Sequence, residues 1–185
     1  PALDAAFGAL RAAGIDALLI KGEALARTLY REPGTRVRGD ADLWVRPVAF
    51  DRAEQVLAGS GWRAQPAASG EWLQPERTWV AGDGVARIDL HRRVLAQPLL
   101  AAALDFDALH GRAVVVDGIS MPDAADALVL AALHLYGHHA EQPRGIWLFD
   151  VDRLMAGAPL VLAGAVERAI ANGVACLLQE ALMAS

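Results

Sequence analysis

The sequence predicts an α/β fold that is followed by a helical part. Over residues 1–121, apolar runs of strand length alternate with segments of helical periodicity. Asp117-Gly118 lies between two short β-rich runs and is a strong signal for a hairpin turn. After Pro122 the chain changes to long segments rich in Ala and Leu. We therefore expect an α/β core over residues 1–121 and a helical subdomain over residues 122–185.

The first elements alternate between helix and strand. Helical spacing of apolar residues predicts helices over residues 3–13, 23–31 and 48–58. Gly14 ends the first helix, and Pro33-Gly34 breaks the second. Apolar runs predict strands over residues 15–20 and 41–46.

The rest of the core is predicted to be mainly β. Turn residues separate short β-rich runs at 62–65, 71–73, 77–80 and 85–90, and Gly82-Asp83-Gly84 predicts a hairpin between the last two. A helix is expected over residues 97–110, followed by hairpin strands at 112–116 and 119–121. In the helical part, we expect helices from Asp123, as N-cap, to about Tyr136, over 145–156 and over 160–183. Asn172-Gly173 is a possible kink in the last helix.

Composition excludes several classes of protein. A hydrophobic fraction of 55% with 21% charged residues excludes a disordered chain. No apolar run has the length of about eighteen residues that a membrane span needs, so we expect no membrane partner. A net charge of −5 argues against broad coating of nucleic acid. Cys176 is the single cysteine, so no internal disulfide forms and a reducing cytoplasm is the expected location.

The start of the chain has no targeting pattern. Pro1 indicates that these residues begin inside a longer chain, and no basic and apolar signal-peptide pattern follows it.

An acidic pair carries the clearest chemical signal. Asp40 and Asp42 are two residues apart at a predicted strand, so both carboxylates point to one face. Aspartate is a poor strand residue and is costly to bury unpaired, but a cation between two carboxylates offsets this cost. Carboxylate oxygens are suitable ligands for Mg²⁺. Alone, the Asp-x-Asp pattern is also common in exposed turns.

Asp89 is a candidate third carboxylate. It interrupts a later apolar strand and shares one face with Arg87 and His91. An ion pair with Arg87 is the structural alternative. Together with Asp40 and Asp42, we expect a metal-facing role, and three acidic groups favour metal-assisted phosphoryl or nucleotidyl transfer.

The basic residues predict a phosphate site. Lys21 is the single lysine among seventeen Lys and Arg residues, which indicates a need for its compact ammonium. Lys21-Gly22 follows a strand and opens a helix, where an anion is favoured. Arg36 and Arg38 flank the acidic motif, and at least one is expected to bind phosphate while surface ion pairs are the alternative.

Histidines in the helical part predict no zinc site. His134 and His138 share a helix face, a spacing that can bind metal. No third ligand accompanies them at a suitable spacing. A role at the helix end, or a contact with the active site from the helical subdomain, is a better interpretation than zinc.

The chain resembles the uncharacterised bacterial nucleotidyltransferase family of the DNA polymerase β-like superfamily. The resemblance rests on an ordered set of motifs, which are Lys21-Gly22-Glu23-Ala24-Leu25-Ala26, Tyr30, Arg36, Gly39-Asp40-Ala41-Asp42-Leu43 and Ile88-Asp89-Leu90-His91. The segments from Leu133-His134 to His138 and Trp147-Leu148-Phe149-Asp150-Val151 also resemble the helical tail of that family.

The resemblance implies a mixed sheet flanked by helices and an enzyme that uses an NTP. Asp40, Asp42 and Asp89 would be catalytic and would hold one or two Mg²⁺, or Mn²⁺. The nucleotide phosphates would be held by the remaining motif residues, which are Lys21, Gly22, Arg36, Arg38 and Gly39. The superfamily pattern has Gly-Ser where this chain has Lys-Gly, a variant similar to nucleotidyltransferase toxins of toxin–antitoxin and abortive-infection systems.

The sequence leaves the acceptor and two other functions open. The acceptor hydroxyl belongs to an RNA, a protein or a small molecule. A nucleotide-binding module without turnover is the second hypothesis, in which the apolar helix over 160–183 supplies a face for a homodimer or another partner. A metal-dependent phosphohydrolase that uses the same acids is the third.

Overall fold

The structure, a computed structural model, describes residues 2–66, 75–95, 97, 100, 102–138, 144–156 and 159–185. The chain divides into two compact units. The first contains residues 1–94 and 113–121, and the second contains residues 95–112 and 122–185. The second unit thus also includes residues 95–112, which precede the boundary predicted at residue 122.

The first unit is built on a mixed sheet. Within the described residues its strands follow the spatial order β1-β2-β5-β4-β3. Pairing is antiparallel except between β2 and β5, which run parallel. The strands are β1 (Ala17–Ile20), β2 (Ala41–Val45), β3 (Arg63–Ala64), β4 (Glu76–Val80) and β5 (Arg87–His91). A separate hairpin joins β6 (Val114–Val116) to β7 (Ile119–Met121).

Helices cover the sheet of the first unit. They are α1 (Ala2–Ala12), α2 (Lys21–Leu29) and α3 (Phe50–Gly59). Alternate residues of the central strands point towards one core, in which Leu43 and Leu90 are completely buried. Helix α1 contributes Leu10 to this core, and α3 contributes Leu57. The opposite face of β2 and β5 therefore carries Asp42, Asp89 and His91.

The predicted turns of the first unit are confirmed. Gly14 ends α1 with a positive φ of 70°, and the Ile15 amide donates to the Leu10 carbonyl at 2.9 Å. Gly82-Asp83-Gly84 connects β4 to β5 as an antiparallel hairpin. The predicted strand at 71–73 lies outside the described residues.

The second unit is helical. Its helices are α4 (Phe106–Gly111), α5 (Ala124–His138), α6 (Gly145–Ala156), α7 (Pro159–Ala171) and α8 (Ala175–Ala184). Helix α5 is the centre of this unit and packs against α6, α7 and α8. Its Leu128 and Leu133 side chains are buried. Asp123 caps α5 as predicted, because its carboxylate accepts a hydrogen bond from the Asp126 amide at 2.9 Å.

Two predicted helices differ from the structure. The helix expected over residues 97–110 is described only in part: Leu100 is helical, residues 102–105 are not, and residues 98, 99 and 101 lie outside the described residues. Helix α4 begins at Phe106, where the Asp105 carboxylate caps it by accepting from the Ala108 amide at 2.7 Å. The single helix expected over 160–183 is two helices. Gly173 adopts a φ of +68°, and the Val174 amide bonds back to the Ala169 carbonyl at 2.8 Å, which ends α7.

An ion-pair cluster stabilises the second unit. The buried Asp126 accepts two hydrogen bonds from Arg112, at 2.9 and 3.1 Å. Arg168 lies 3.1 Å from Asp126 and also donates to both carboxylate oxygens of Asp123. The cluster therefore joins α7 to the N-terminal end of α5 and to the residue that follows α4.

Across the described residues, no single helix is both long and apolar enough to cross a membrane. Helices α6 and α7 reach that length and composition only as a pair, and they are bent by 114°.

Candidate active site

The structure brings the three predicted carboxylates together on the first unit. Asp40 lies immediately before β2, Asp42 lies within β2, and Asp89 lies within β5. The parallel pairing places Asp42 opposite Asp89, so their side chains project from the same face of the sheet. Asp40 is close enough for both of these charges to act on it. Strand register therefore brings Asp89 to Asp40 and Asp42, which are already close in sequence, and the three carboxylates form an acidic trio.

Asp42 is the buried member of the trio and is held by two partners. The Lys21 ammonium donates to its Oδ1 atom at 2.6 Å. Nε2 of His91 lies 2.8 Å from the same oxygen, so this ring nitrogen carries a proton. Burial opposes ionisation of Asp42, but the hydrogen bonds and charges of His91 and Lys21 outweigh it and lower its pKa far below the ordinary value. Asp42 is thus a fixed anion.

Asp40 has the opposite electrostatic character. Its side chain is exposed, and no hydrogen bond from the protein is described for it. Desolvation, followed by repulsion from Asp42 and Asp89, raises its pKa above the ordinary value despite the nearby Lys21. The negative charge around Asp40 is therefore only partly compensated by positive charge from the protein.

Asp89 accepts a hydrogen bond from the hydroxyl of Thr78 at 2.6 Å. Thr78 is its cross-strand partner on β4. The ion pair with Arg87 that was the structural alternative is not described. Instead, the Thr78 hydroxyl fixes one carboxylate oxygen of Asp89 and leaves the second oxygen for another partner.

His91 and Glu76 complete the site and were not assigned by the sequence analysis. His91 is completely buried, with Nε2 on Asp42 and Nδ1 at 3.1 Å from Oε2 of Glu76. The angle at Nδ1 is not that of a hydrogen bond, so this second contact is only electrostatic. The alternation that placed His91 on the same face as Asp89 is the sequence signal for its role. Glu76 carried no such signal, because its closeness depends on the pairing of β4 with β5.

Lys21 and Gly22 form the strand-to-helix junction that was predicted as a phosphate site. Lys21 opens α2 with a φ of +54°, a left-handed conformation that is uncommon for a side-chain-bearing residue. A Cβ atom on Gly22 would lie 2.7 Å from Nη1 of Arg36. Arg36 is only 4% exposed and lies directly against this glycine. A side chain at residue 22 would therefore force the Arg36 guanidinium to shift away from the start of α2.

Arg38 is engaged by the protein itself. Its guanidinium pairs with Glu23 and donates to the Pro33 and Arg36 carbonyls at 2.7 and 2.8 Å. Glu23 is buried and also accepts from Arg27 at 2.8 Å. Arg38 thus holds the segment that leads to Asp40, and the phosphate-binding role expected of Arg36 or Arg38 stays a prediction.

Gly39 has an open environment. It is exposed, and a Cβ atom built on it meets no atom within 4 Å. Its backbone is therefore accessible next to Asp40, and its predicted part in phosphate binding stays a prediction.

The ligand types of the acidic trio suit a divalent cation, but the side chains are not arranged as a set of metal ligands. Three carboxylates share one face, and Asp40 experiences uncompensated negative charge, which a cation would neutralise. As the side chains stand, no three acidic, histidine or cysteine residues of the described parts form a group ready to ligate a metal. Lys21 accounts for this, since its ammonium already contacts Asp42.

The histidines of the second unit are described only in part. The ring of His134 packs edge-on against Trp147 with centroids 4.9 Å apart. The side chain of His138 lies outside the described residues, so the predicted sharing of a face is not tested.

Comparison with known proteins identifies the family of the chain. The uncharacterised nucleotidyltransferase family matches residues 2–184. A search of curated proteins finds no match in sequence. The antibiotic-resistance factor ANT(2'')-Ia, known from a solution structure, is similar with a TM-score of 0.61 and 14% identity, covering 97% of this chain and 94% of the other. An antigenic nucleotidyltransferase-like protein from Paracoccidioides brasiliensis is similar with a TM-score of 0.53 and 14% identity, covering 95% of this chain and 89% of the other.

These matches confirm the predicted family and fold. The similar structures, which match over nearly the whole length of this chain, share its fold of a mixed sheet flanked by helices. The matched residues span nearly the whole chain and include the acidic trio. The chain therefore belongs to the uncharacterised nucleotidyltransferase family.

Proposed function

We propose that the protein transfers a nucleoside monophosphate from an NTP to an acceptor hydroxyl, with Mg²⁺ as the metal. The observation that carries this proposal is the acidic trio on one sheet face beside the Lys21-Gly22 junction and Arg36. Bound Mg²⁺ would supply charge neutralisation of the phosphates and a lowered pKa of the attacking group. Asp40, Asp42 and Asp89 are the residues that would hold it.

The chain's own residues position the nucleotide. The first amides of α2 are favourable for an anion, and Gly22 lets the phosphates approach the backbone. Arg36 adds a guanidinium at the same point, where bidentate contact with a phosphate is favoured. Arg38 and Glu23 act indirectly, by fixing the segment between α2 and Asp40.

The transfer forms one bond and breaks one. The acceptor oxygen bonds to the α-phosphorus while the bond from that phosphorus to the bridging oxygen breaks, which releases pyrophosphate. Asp89 accepts the proton of the acceptor hydroxyl. Its second carboxylate oxygen is suited to this role because the first is fixed by Thr78.

Calorimetry with each of the four NTPs, with and without Mg²⁺, tests this function. Asp40→Asn is the informative variant, because Asp40 is exposed and its replacement leaves the bonds of Asp42 intact. We expect Mg²⁺-dependent NTP binding that falls at least about tenfold in Asp40→Asn, since a lost ligand charge costs 1.4 kcal/mol or more. Asp51→Asn, which removes an exposed carboxylate at the start of α3, is the matched control and should bind as the wild type does.

The product distinguishes the three functions that the sequence left open. Pyrophosphate release in the presence of candidate acceptors supports nucleotidyl transfer. Free phosphate with no pyrophosphate would instead identify a phosphohydrolase. Mg²⁺-dependent binding with no product from any RNA, protein or small-molecule pool would favour a binding module.

A further inference from the structure

The acidic site contains a cation of its own, and that cation occupies a predicted metal ligand. The Lys21 ammonium contacts Oδ1 of Asp42 at 2.6 Å. Both side chains are largely buried, with 12% and 11% of their surface exposed. Oδ1 already accepts from Lys21 and from His91 at 2.8 Å, which occupies both of its lone pairs, so a divalent cation can bind this oxygen only by displacing one of them. At the other oxygen of Asp42, the nearby ammonium would repel the divalent cation. The two cations therefore compete for Asp42.

The backbone at Lys21 indicates that this lysine is retained for its ammonium. Its φ of +54° is a conformation that glycine adopts at little cost and that other residues adopt at a cost of about 1 kcal/mol. A lysine here is strained, whereas the neighbouring Gly22 has an ordinary φ. Lys21 is also the single lysine of the chain.

One ammonium does not neutralise this site. The charges of Asp42, Asp89 and Glu76 repel that of Asp40, and Lys21 offsets only part of this repulsion. A divalent cation brings twice the charge of the ammonium to the same carboxylates. The lysine has four flexible methylene groups, and its Cα atom lies next to the amides that would bind phosphate. The ammonium therefore has a second anionic partner within reach once a nucleotide is bound.

We propose that Lys21 is a displaceable counter-ion, which holds Asp42 in the free protein and moves to the nucleotide phosphates when a divalent cation and an NTP bind. This inference rests on the proposed function. It adds that the metal and the nucleotide bind cooperatively. When the metal binds alone, the ammonium that it displaces from Asp42 gains no new partner. When a nucleotide is also bound, its phosphates become that partner. By thermodynamic linkage, each ligand therefore raises the binding affinity of the other.

Metal binding without nucleotide gives the first readout. Lys21→Met removes the competing ammonium, so Mn²⁺ alone should bind the variant about tenfold more tightly than the wild type, for a competition of 1.4 kcal/mol. Arg46→Met is the matched control, because it removes a cation beside β2 whose partner is Asp16 and not the acidic trio. Equal or weaker Mn²⁺ binding by Lys21→Met would overturn the inference.

The movement of the Lys21 ammonium is measured on the wild-type protein, so the result does not depend on the folding of a variant. Because the chain has one lysine, ¹⁵N-lysine labelling gives a single side-chain ammonium resonance in an NMR spectrum. The probes are Mg²⁺ and the α,β-methylene analogues of the four NTPs. We expect a small change with either probe alone and a large change when Mg²⁺ and an analogue are present together.

The outcomes separate this inference from the proposed function. If calorimetry shows that Mg²⁺ and an analogue bind while the Lys21 resonance stays in place, the displacement is refuted and the nucleotidyltransferase proposal stands. If no analogue binds in any condition, the proposed function loses its support and the inference falls with it. A shifted resonance with cooperative binding supports both.

Discussion

Replacement of Glu23 by Gln is predicted to destabilise the first unit and to loosen the segment that precedes Asp40. Glu23 has only 11% of its side chain exposed and pairs with Arg27 and Arg38. These two arginines outweigh the effect of burial and lower the pKa of Glu23, so the side chain is a carboxylate at neutral pH. Gln keeps the shape of the residue but removes the charge.

The size of the expected loss in stability depends on the contacts that Arg27 and Arg38 keep in the variant. Removal of one partner from a fully buried ion pair costs about 3–5 kcal/mol. Arg27 and Arg38 are 17% and 23% exposed, and Arg27 retains a contact with Asp4, so water and this second acid recover part of the loss. We therefore expect a loss of about 2 kcal/mol, which lowers Tm by about 4–8 °C in a chain of this length.

Thermal unfolding followed by circular dichroism measures this effect. Asp16→Asn is the matched control, because it breaks an exposed ion pair of 2.7 Å with Arg46, which contributes about 0–1 kcal/mol. Calorimetry should also show weaker Mg·NTP binding by Glu23→Gln, since Arg38 loses the partner that orients it. If both variants had the same Tm and the same NTP affinity, the role assigned to Glu23 would be refuted.

Two further predictions concern a glycine and an acid. Gly22→Ala places a Cβ atom 2.7 Å from Nη1 of Arg36, so calorimetry should show Mg·NTP binding weakened by about tenfold. Gly39→Ala is the control: its Cβ atom meets no atom within 4 Å, and this variant should bind Mg·NTP as the wild type does. Burial opposes ionisation of Asp123, but hydrogen bonds from Arg168 outweigh it and lower its pKa below 3.8. The pair therefore stabilises the protein above about pH 4, and its contribution is lost as the pH falls through the lowered pKa. Arg168→Gln should flatten the fall of Tm between about pH 4 and pH 2, and an unchanged profile would contradict this assignment.

Local patterns were sufficient to predict most of the strands and the acidic motif. Asp42 interrupts the otherwise apolar strand β2, Asp40 directly precedes that strand, and Asp89 lies between the apolar residues Ile88 and Leu90 of β5. Such interruptions are visible in the sequence because burying an unpaired aspartate is costly, whatever the surrounding fold. The identity of the site therefore did not depend on knowing the strand order.

The partners of these residues were not predictable, because they depend on register between distant segments. Spacing could not distinguish Arg36 from Arg38, since Glu23 lies fifteen residues before Arg38 in sequence. Glu23 itself resembled an ordinary residue of the first helical turn, yet it is the buried centre of a charge network. The contact of His91 with Asp42 spans forty-nine residues.

Helix ends were the other source of error. The helix predicted over residues 97–110 is interrupted at residues 102–105, and α4 begins at Phe106 because the Asp105 carboxylate caps it. The break between α7 and α8 depends on Gly173, which adopts a left-handed conformation. From the sequence alone, such a glycine predicts either a kink in a helix or the end of one.

The one parallel pair of the described sheet makes the acidic site a late product of folding. Strand β5 lies in the interior of the sheet, between β2 and β4, and it must be inserted before Asp89 and His91 can meet Asp42. Closing the forty-nine residues between His91 and Asp42 costs about 3.5 kcal/mol in chain entropy. A chain in which β5 has not yet joined the sheet therefore has no assembled acidic trio.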